Sequence, residues 1–130
     1  MSLLIKNAHV FAPKDLGVQD VLMAAEKVIA IGKDLPSTLP DTEVIDAKGQ
    51  IMTPGFFDQH IHVNGGGGEG GPVTRKPEIM LSELVACGTT SVFGGSGTGF
   101  VTRSLETLIA KGHVLKSEGV TVRIDKPNLQ

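Results

Sequence analysis

The feature that most constrains this chain is an apolar segment, residues 56–64, that carries two histidines two residues apart and stops at a run of glycines. The Pro54-Gly55 turn signal before it predicts a strand that begins after Gly55 and ends at Asn64. Side chains alternate between the faces of a strand, so His60 and His62 should project from the same face. Neutral imidazole is a common metal ligand, so the pair is a plausible half of a metal site. Two histidines at this spacing also occur by chance in ordinary half-buried strands.

The first 53 residues predict a small β module, a β-sandwich segment built from short strands joined by turns. The chain alternates between apolar runs and turn signals, and Ala25-Glu26-Lys27 suggests a tight hairpin. The predicted strands cover residues 3–11, 18–24, 28–31 and 43–46. His9, on the first of them, is a half-buried or surface residue rather than a ligand.

Beyond Asn64 the pattern changes to alternating helices and strands, which is the opening of an α/β fold with parallel strands. Apolar residues at helical spacing predict helices over residues 77–88 and 102–118, with Gly88 and Gly119 at their ends. Strands are predicted at 89–93 and 120–124. We therefore expect residues 54–130 to form a second domain of this class; in a (β/α)₈ barrel they would be the first two βα units, and the barrel would be incomplete. In that fold the active site lies at the C-terminal ends of the strands, where both histidines and the glycine loop 94–99 fall.

Two glycine loops are the remaining distinctive features. Residues 65–71 carry Glu69 among glycines and lack the Gly-Lys-Ser/Thr ending of a phosphate-binding loop. A carboxylate there would repel an anion and suits a cation such as a substrate ammonium. From composition alone, a flexible, solvated loop whose glutamate has no role is the favoured interpretation. The loop 94–99 could bring the Thr98 hydroxyl to a substrate, or it could be a tight connection.

Composition excludes several classes of partner. The 130 residues carry a formal net charge of −2, no basic block, no Trp and no Tyr, which argues against nucleic acid. No apolar run is long enough to cross a membrane, and no signal peptide is visible. We therefore expect a cytoplasmic protein. The single cysteine, Cys87, excludes an intramolecular disulfide and is expected to be a small buried residue.

Several segments resemble the isoaspartyl dipeptidase (β-aspartyl peptidase) branch of the amidohydrolase superfamily. In residues 52–62, the Pro, Gly, Asp and both histidines stand where the metal-binding signature of the first barrel strand has them. The H-x-H pair marks only the superfamily, whereas the glycine loop with its internal glutamate is specific to the branch. The other matching stretches are 4–8, 15–22, 65–71, 81–84 and 102–106.

This resemblance implies a cofactor, a substrate and a reaction. His60 and His62 would bind the more buried ion of a two-zinc site. The reaction would be hydrolysis of an isoaspartyl dipeptide by a hydroxide that bridges the two metals. Glu69 would pair with the free α-ammonium of the small dipeptide, and the full-length family implies a homo-oligomer. The implied substrate contacts are those of Gly67, Gly68, Glu69 and Thr98.

The family site also needs a bridging carboxylated lysine, two further histidines and a catalytic aspartate, and this sequence offers no match to them. A complete barrel needs about 250 residues, and the tail 122–130 departs from the family pattern. We therefore expect a truncated or frameshifted gene product with no catalytic residue of its own and negligible turnover. Two alternatives remain: another amidohydrolase, such as a dihydroorotase or hydantoinase relative, and a non-catalytic remnant or interaction module.

Overall fold

The computed structural model describes residues 1–37, 39–97 and 103–124, and these form two compact units. One unit comprises Met1–Pro54 and the other begins at Gly55. A 3₁₀ turn at Pro72–Thr74 accompanies the regular elements of the described ranges. These elements are β1 (Ser2–Phe11), β2 (Asp15–Ala24), β3 (Lys27–Gly32), β4 (Thr42–Asp46), β5 (Ile51–Met52), β6 (Phe56–Ile61), α1 (Leu81–Ala86), β7 (Thr89–Gly94), α2 (Leu105–Ser117) and β8 (Thr121–Ile124).

The first unit is one five-stranded sheet in the order β3-β2-β1-β4, with β5 also paired to β1. The β1–β2 and β2–β3 pairs are antiparallel, and β4 and β5 run parallel to β1. Ala24 pairs with Lys27, so the β2–β3 loop is the two residues Ala25 and Glu26, both at positive φ (49° and 61°). Positive φ at both central residues is the type I′ geometry that matches the strand twist. The tight hairpin predicted from the sequence is therefore confirmed.

A buried carboxylate, Asp20, holds an irregularity of this sheet. The β1–β2 register shifts between Ile5 and Ala8, and Asn7 takes a φ of 56° there. The Asp20 carboxylate accepts hydrogen bonds from the backbone amides of Asn7 and Leu35, both at 3.0 Å, and lies 3.2 Å from Lys6 Nζ. The Asn7 amide is the main cause that holds the pKa of Asp20 below its ordinary value, and the Lys6 and Leu35 bonds add to it. Asp20 thus supplies an acceptor to the Asn7 amide, which the bulge leaves without a ladder partner.

The second unit is a parallel α/β sheet in the order β6-β7-β8, as expected from the sequence. Gly112 of α2 lies against β8, where an added Cβ would be 3.0 Å from Ile124 Cδ1, so the glycine permits close helix–strand packing. The strand β6 ends at Ile61 and not at Asn64 as predicted, because Val63 and Asn64 lie in a turn. The buried apolar core of the unit comprises Val63, Leu84, Val92, Leu108, Leu115, Val120 and Val122.

Both helices are shorter than predicted. The helix α1 begins at Leu81 rather than at Pro77, because the amide of Ile79 already donates to the Val63 carbonyl at 3.2 Å. The Glu83 carboxylate then accepts from the Met80 amide at 2.7 Å and caps the first turn. Gly88, at a φ of 68°, ends the helix as predicted.

The helix α2 begins at Leu105, with the Ser104 hydroxyl accepting from the Thr107 amide. Its predicted start, Thr102, lies outside the described residues. Ile109, one of the apolar residues of this helix, is exposed. The prediction of a buried Cys87 was also wrong, since this residue follows the last turn of α1 and is exposed.

No helix of the described ranges is both long enough and apolar enough to span a membrane.

We predict that Asp20→Asn destabilises the first unit by roughly 1–3 kcal/mol at neutral pH, the usual cost of an unsatisfied buried hydrogen-bonding group. The folded-state pKa of Asp20 lies below the ordinary 3.8, so its contribution is present above that value. It is lost as the pH falls through the folded-state pKa. Urea unfolding at neutral pH and again below pH 3.8 checks this, with the exposed Asp41→Asn as the control. A destabilisation of equal size at both pH values would contradict the prediction.

Candidate metal and substrate site

The imidazoles of His60 and His62 lie side by side at the C-terminal end of β6. Their ring centroids are 5.1 Å apart and the rings cross at 84°. His60 is exposed on the strand, and His62, one residue past its end, is half-buried. The structure therefore brings together the two residues that the sequence singled out as ligands.

This separation fits two ligands of one tetrahedral ion. A zinc–nitrogen bond is about 2.1 Å, and the centre of an imidazole ring lies about 1 Å beyond the bonded nitrogen. Two rings on one tetrahedral ion therefore have centroids about 5 Å apart. His62 Nδ1 lies 3.3 Å from the carbonyl oxygen of Gly95. Donation from Nδ1–H to that carbonyl leaves the lone pair of Nε2 available to a metal.

His62 is enclosed by backbone from both glycine loops. An added Cβ on Gly66 would lie 3.6 Å from the His62 ring, and one on Gly97 would lie 3.2 Å from His62 Cγ. The Gly97 position is also 3.3 Å from the carbonyl oxygen of Gly65. A side chain at position 97 would therefore press on both the ring and the first loop.

The loop 65–71 is the first arm of a hydrogen-bonded hairpin and not an unstructured connection. Gly67 bridges to Arg75, and the amide of Lys76 donates to the Gly66 carbonyl at 2.9 Å. Gly71 closes the tip by donating to the Gly68 carbonyl at 3.0 Å. Gly67 has a φ of 67°, and an added Cβ there would be 2.5 Å from the Thr74 carbonyl oxygen, so this position requires glycine.

Glu69 lies at the exposed tip of this hairpin, between Gly68 and Gly70. The structure therefore presents its carboxylate on a defined backbone. Its pairing with a substrate ammonium, and the substrate contacts of Gly67 and Gly68, stay predictions. Thr98 lies outside the described residues.

Arg103 is the residue that the sequence analysis missed. Its guanidinium is buried, with 6% exposure, and donates to the carbonyl oxygens of Gly66 (2.9 Å), Gly67 (3.3 Å) and Lys76 (3.2 Å). Arg103 immediately precedes the Ser104 cap of α2 and so ties the glycine hairpin to the start of that helix. In the sequence, Arg103 is a lone arginine between a glycine loop and a helix cap. That pattern does not indicate which carbonyl groups its guanidinium binds. An open cleft of about 450 Å³ next to it is lined by Asn64, Arg75, Lys76, Pro77, Glu78, Arg103 and Thr107.

His60 and His62 alone are too few donors to complete a metal site. Across residues 1–37, 39–97 and 103–124, no group of three or more His, Cys, Asp or Glu side chains is arranged to hold an ion. A catalytic zinc site normally has three protein ligands and an open position. The described residues can therefore provide two ligands of such a site, and the glycine hairpin that approaches His62 at Gly66 carries a carboxylate, Glu69, at its exposed tip.

Comparison with known proteins identifies relatives of this chain. The amidohydrolase family model matches residues 43–114. The β-aspartyl dipeptidase of Fervidobacterium islandicum AW-1 superposes with a TM-score of 0.87 at 46% identity, over 95% of this chain and 34% of that chain. A second structure, of the β-aspartyl dipeptidase from that organism in complex with a β-Asp-Leu dipeptide, gives a TM-score of 0.85 at 45% identity, over 95% and 33%.

A curated relative comes from another branch. The dihydroorotase of Lactococcus lactis subsp. lactis (strain IL1403) is 36% identical over 100 residues, which are 75% of this chain and 21% of that protein. The chain thus spans about a third of the dipeptidase structures and about a fifth of the dihydroorotase. Because the family model matches more than half of its residues, the chain belongs to the amidohydrolase family.

Proposed function

We propose that this chain provides the first ligand pair and the amine-recognition loop of a zinc-dependent hydrolase of isoaspartyl (β-aspartyl) dipeptides. The observation that carries the metal half of the proposal is the 5.1 Å separation of the His60 and His62 rings. The β-aspartyl substrate class is supported by the 46% identity to a β-aspartyl dipeptidase over 95% of the chain. The complex of such an enzyme with β-Asp-Leu, at 45% identity, supports the same substrate class.

Each residue would have a separate task in that site. His60 and His62 would hold the ion, and the Gly95 carbonyl would keep His62 in the tautomer with a free Nε2. The chemistry that such an ion supplies when bound is polarisation of a carbonyl and activation of water. Glu69 would bind the free α-ammonium of the dipeptide through a charge-assisted hydrogen bond. Arg103 would keep the hairpin that carries Glu69 in place.

A second candidate is hydrolysis of a cyclic amide, supported by the 36% identity to a dihydroorotase. Such a substrate has no free α-ammonium, so it would offer Glu69 no substrate cation to bind. The glycine hairpin with its exposed carboxylate therefore favours the dipeptide.

For the 130-residue chain alone, we predict no measurable turnover of β-Asp-Leu with added Zn²⁺, because its described residues supply two ligands where a catalytic zinc needs three. Chromatographic detection of released leucine checks this. Release that a chelator abolishes, and that His60→Ala also abolishes, would contradict the prediction.

The activity itself can be tested in a hybrid that places this chain in the matching first third of the F. islandicum dipeptidase. We expect zinc-dependent hydrolysis of β-Asp-Leu and no hydrolysis of dihydroorotate. His62→Ala should lower kcat/KM by more than about 100-fold, since even outer-shell partners of a metal typically contribute 10–100-fold. His113→Ala, which removes an exposed imidazole of α2, is the matched control. Hydrolysis of dihydroorotate instead would favour the second candidate.

Glu69→Gln in the same hybrid should raise KM for β-Asp-Leu by about 10- to 100-fold, because a hydrogen bond to a charged group contributes roughly 1.5–3 kcal/mol. Steady-state kinetics with β-Asp-Leu and with its N-acetyl derivative checks this. The acetylated dipeptide has no ammonium, so the substitution should leave its kinetics unchanged. An equal effect on both substrates would assign Glu69 a structural role only.

A further inference from the structure

The strand β6 contains a bulge whose span includes His60, the first residue of the proposed metal-ligand pair. In the parallel β6–β7 ladder, Asp58 pairs with Val92 and Ile61 pairs with Gly94. Three steps along β6 therefore match two steps along β7, so β6 carries one extra residue within 59–60. A bulge changes the direction of the side chains around it and leaves backbone groups without ladder partners.

An opposite irregularity precedes this bulge. Phe56 pairs with Thr89 and Phe57 with Ser91, so β7 has an extra residue at Thr90. An added Cβ on Gly55 would overlap the Thr90 side chain, so glycine at position 55 makes room for this extra residue. The two irregularities compensate, and together they confine the shifted register to a few residues of β6 that end at the histidines.

The Asp58 side chain binds the backbone of the bulge. Asp58 is half-buried, and its Oδ1 accepts a hydrogen bond from the backbone amide of His60 at 3.0 Å. The carboxylate thus replaces a missing ladder partner of the His60 amide. The imidazole of the same residue lies 5.1 Å from that of His62. The other ring has different supports, the Gly95 carbonyl and the glycine loops.

We propose that Asp58 is a positioning residue for the metal-ligand pair, holding the β6 bulge so that the His60 imidazole stands beside that of His62. This inference deepens the proposed function and rests on it for the role of the ion. The required group is a hydrogen-bond acceptor and not a negative charge. Asn keeps an acceptor oxygen at the same position, whereas Ala removes it, so the two substitutions separate these requirements.

The test compares the full chain with its Asp58→Asn and Asp58→Ala variants by NMR. Glu118→Ala, which removes an exposed carboxylate after α2, controls for lost charge. The readouts are exchange of the His60 amide, the nuclear Overhauser contact between the two imidazoles, and Zn²⁺ titration of the imidazole signals. In Asp58→Ala we expect His60 amide exchange to be about tenfold faster and Zn²⁺ affinity about tenfold weaker, in the range typical of outer-shell partners. Asp58→Asn and Glu118→Ala should remain within about twofold of the parent chain.

Three outcomes would overturn the role of Asp58. One is an unchanged ring contact and Zn²⁺ affinity in Asp58→Ala, and another is Asp58→Asn behaving like Asp58→Ala. The third is an equal increase in amide exchange in Asp58→Ala at Val92, the buried residue that pairs with Asp58 in the ladder. Such an increase would reveal a general loss of stability. If the parent chain does not bind Zn²⁺ at these imidazoles, the metal function fails instead. The ring contact alone then tests the positioning role. Loss of this contact in Asp58→Ala, together with its retention in Asp58→Asn, supports the role, and any other result contradicts it.

Discussion

The packing of the His62 imidazole against the backbones of two glycine loops is the constraint on which the candidate site depends. The ring lies between Gly66 and Gly97, and its Nδ1 faces the Gly95 carbonyl at 3.3 Å. These contacts fix the rotation of the ring and favour one tautomer, so the other ring nitrogen is presented as a ligand. An added Cβ at position 97 would lie only 3.2 Å from His62 Cγ, so glycine there lets the loop approach the ring closely. Two clusters that look like phosphate-binding loops in composition therefore serve to enclose a histidine.

A glycine-rich hairpin has almost no apolar side chains to bury, so hydrogen bonds must provide its order. The Arg103 guanidinium supplies donors to the carbonyls of Gly66, Gly67 and Lys76 from a buried position. A planar group with five N–H donors suits this task better than a lysine ammonium, because its donors reach several carbonyls in fixed directions. The cost of desolvating the guanidinium is offset by these bonds, and the hairpin tip that carries Glu69 gains a defined backbone.

The sequence predicted the elements of the fold better than their ends. Strand alternation, the Ala25-Glu26 hairpin and the glycine at the end of α1 are local signals, and local backbone chemistry decides them. The start of α1 was wrong by four residues because a long-range bond, from the Ile79 amide to Val63, holds the preceding segment. The same limit applies to the site. The spacing of His60 and His62 predicts a shared face, but the partners of Arg103 depend on distant residues that no local pattern encodes.

The difference between a chance H-x-H and a metal-ligand pair lies in how each ring is held. Alternation along a strand puts both imidazoles on one side, but neighbouring side chains on that face would ordinarily lie about 6–7 Å apart. The rings here converge to 5.1 Å, near the separation that one tetrahedral ion requires. The two rings are held differently: His62 is packed between glycine loops, and His60 lies in the β6 bulge. Side chains that the fold already holds at this spacing lose less conformational freedom when they bind an ion. The entropic cost of ordering them is therefore incurred during folding and not during ion binding.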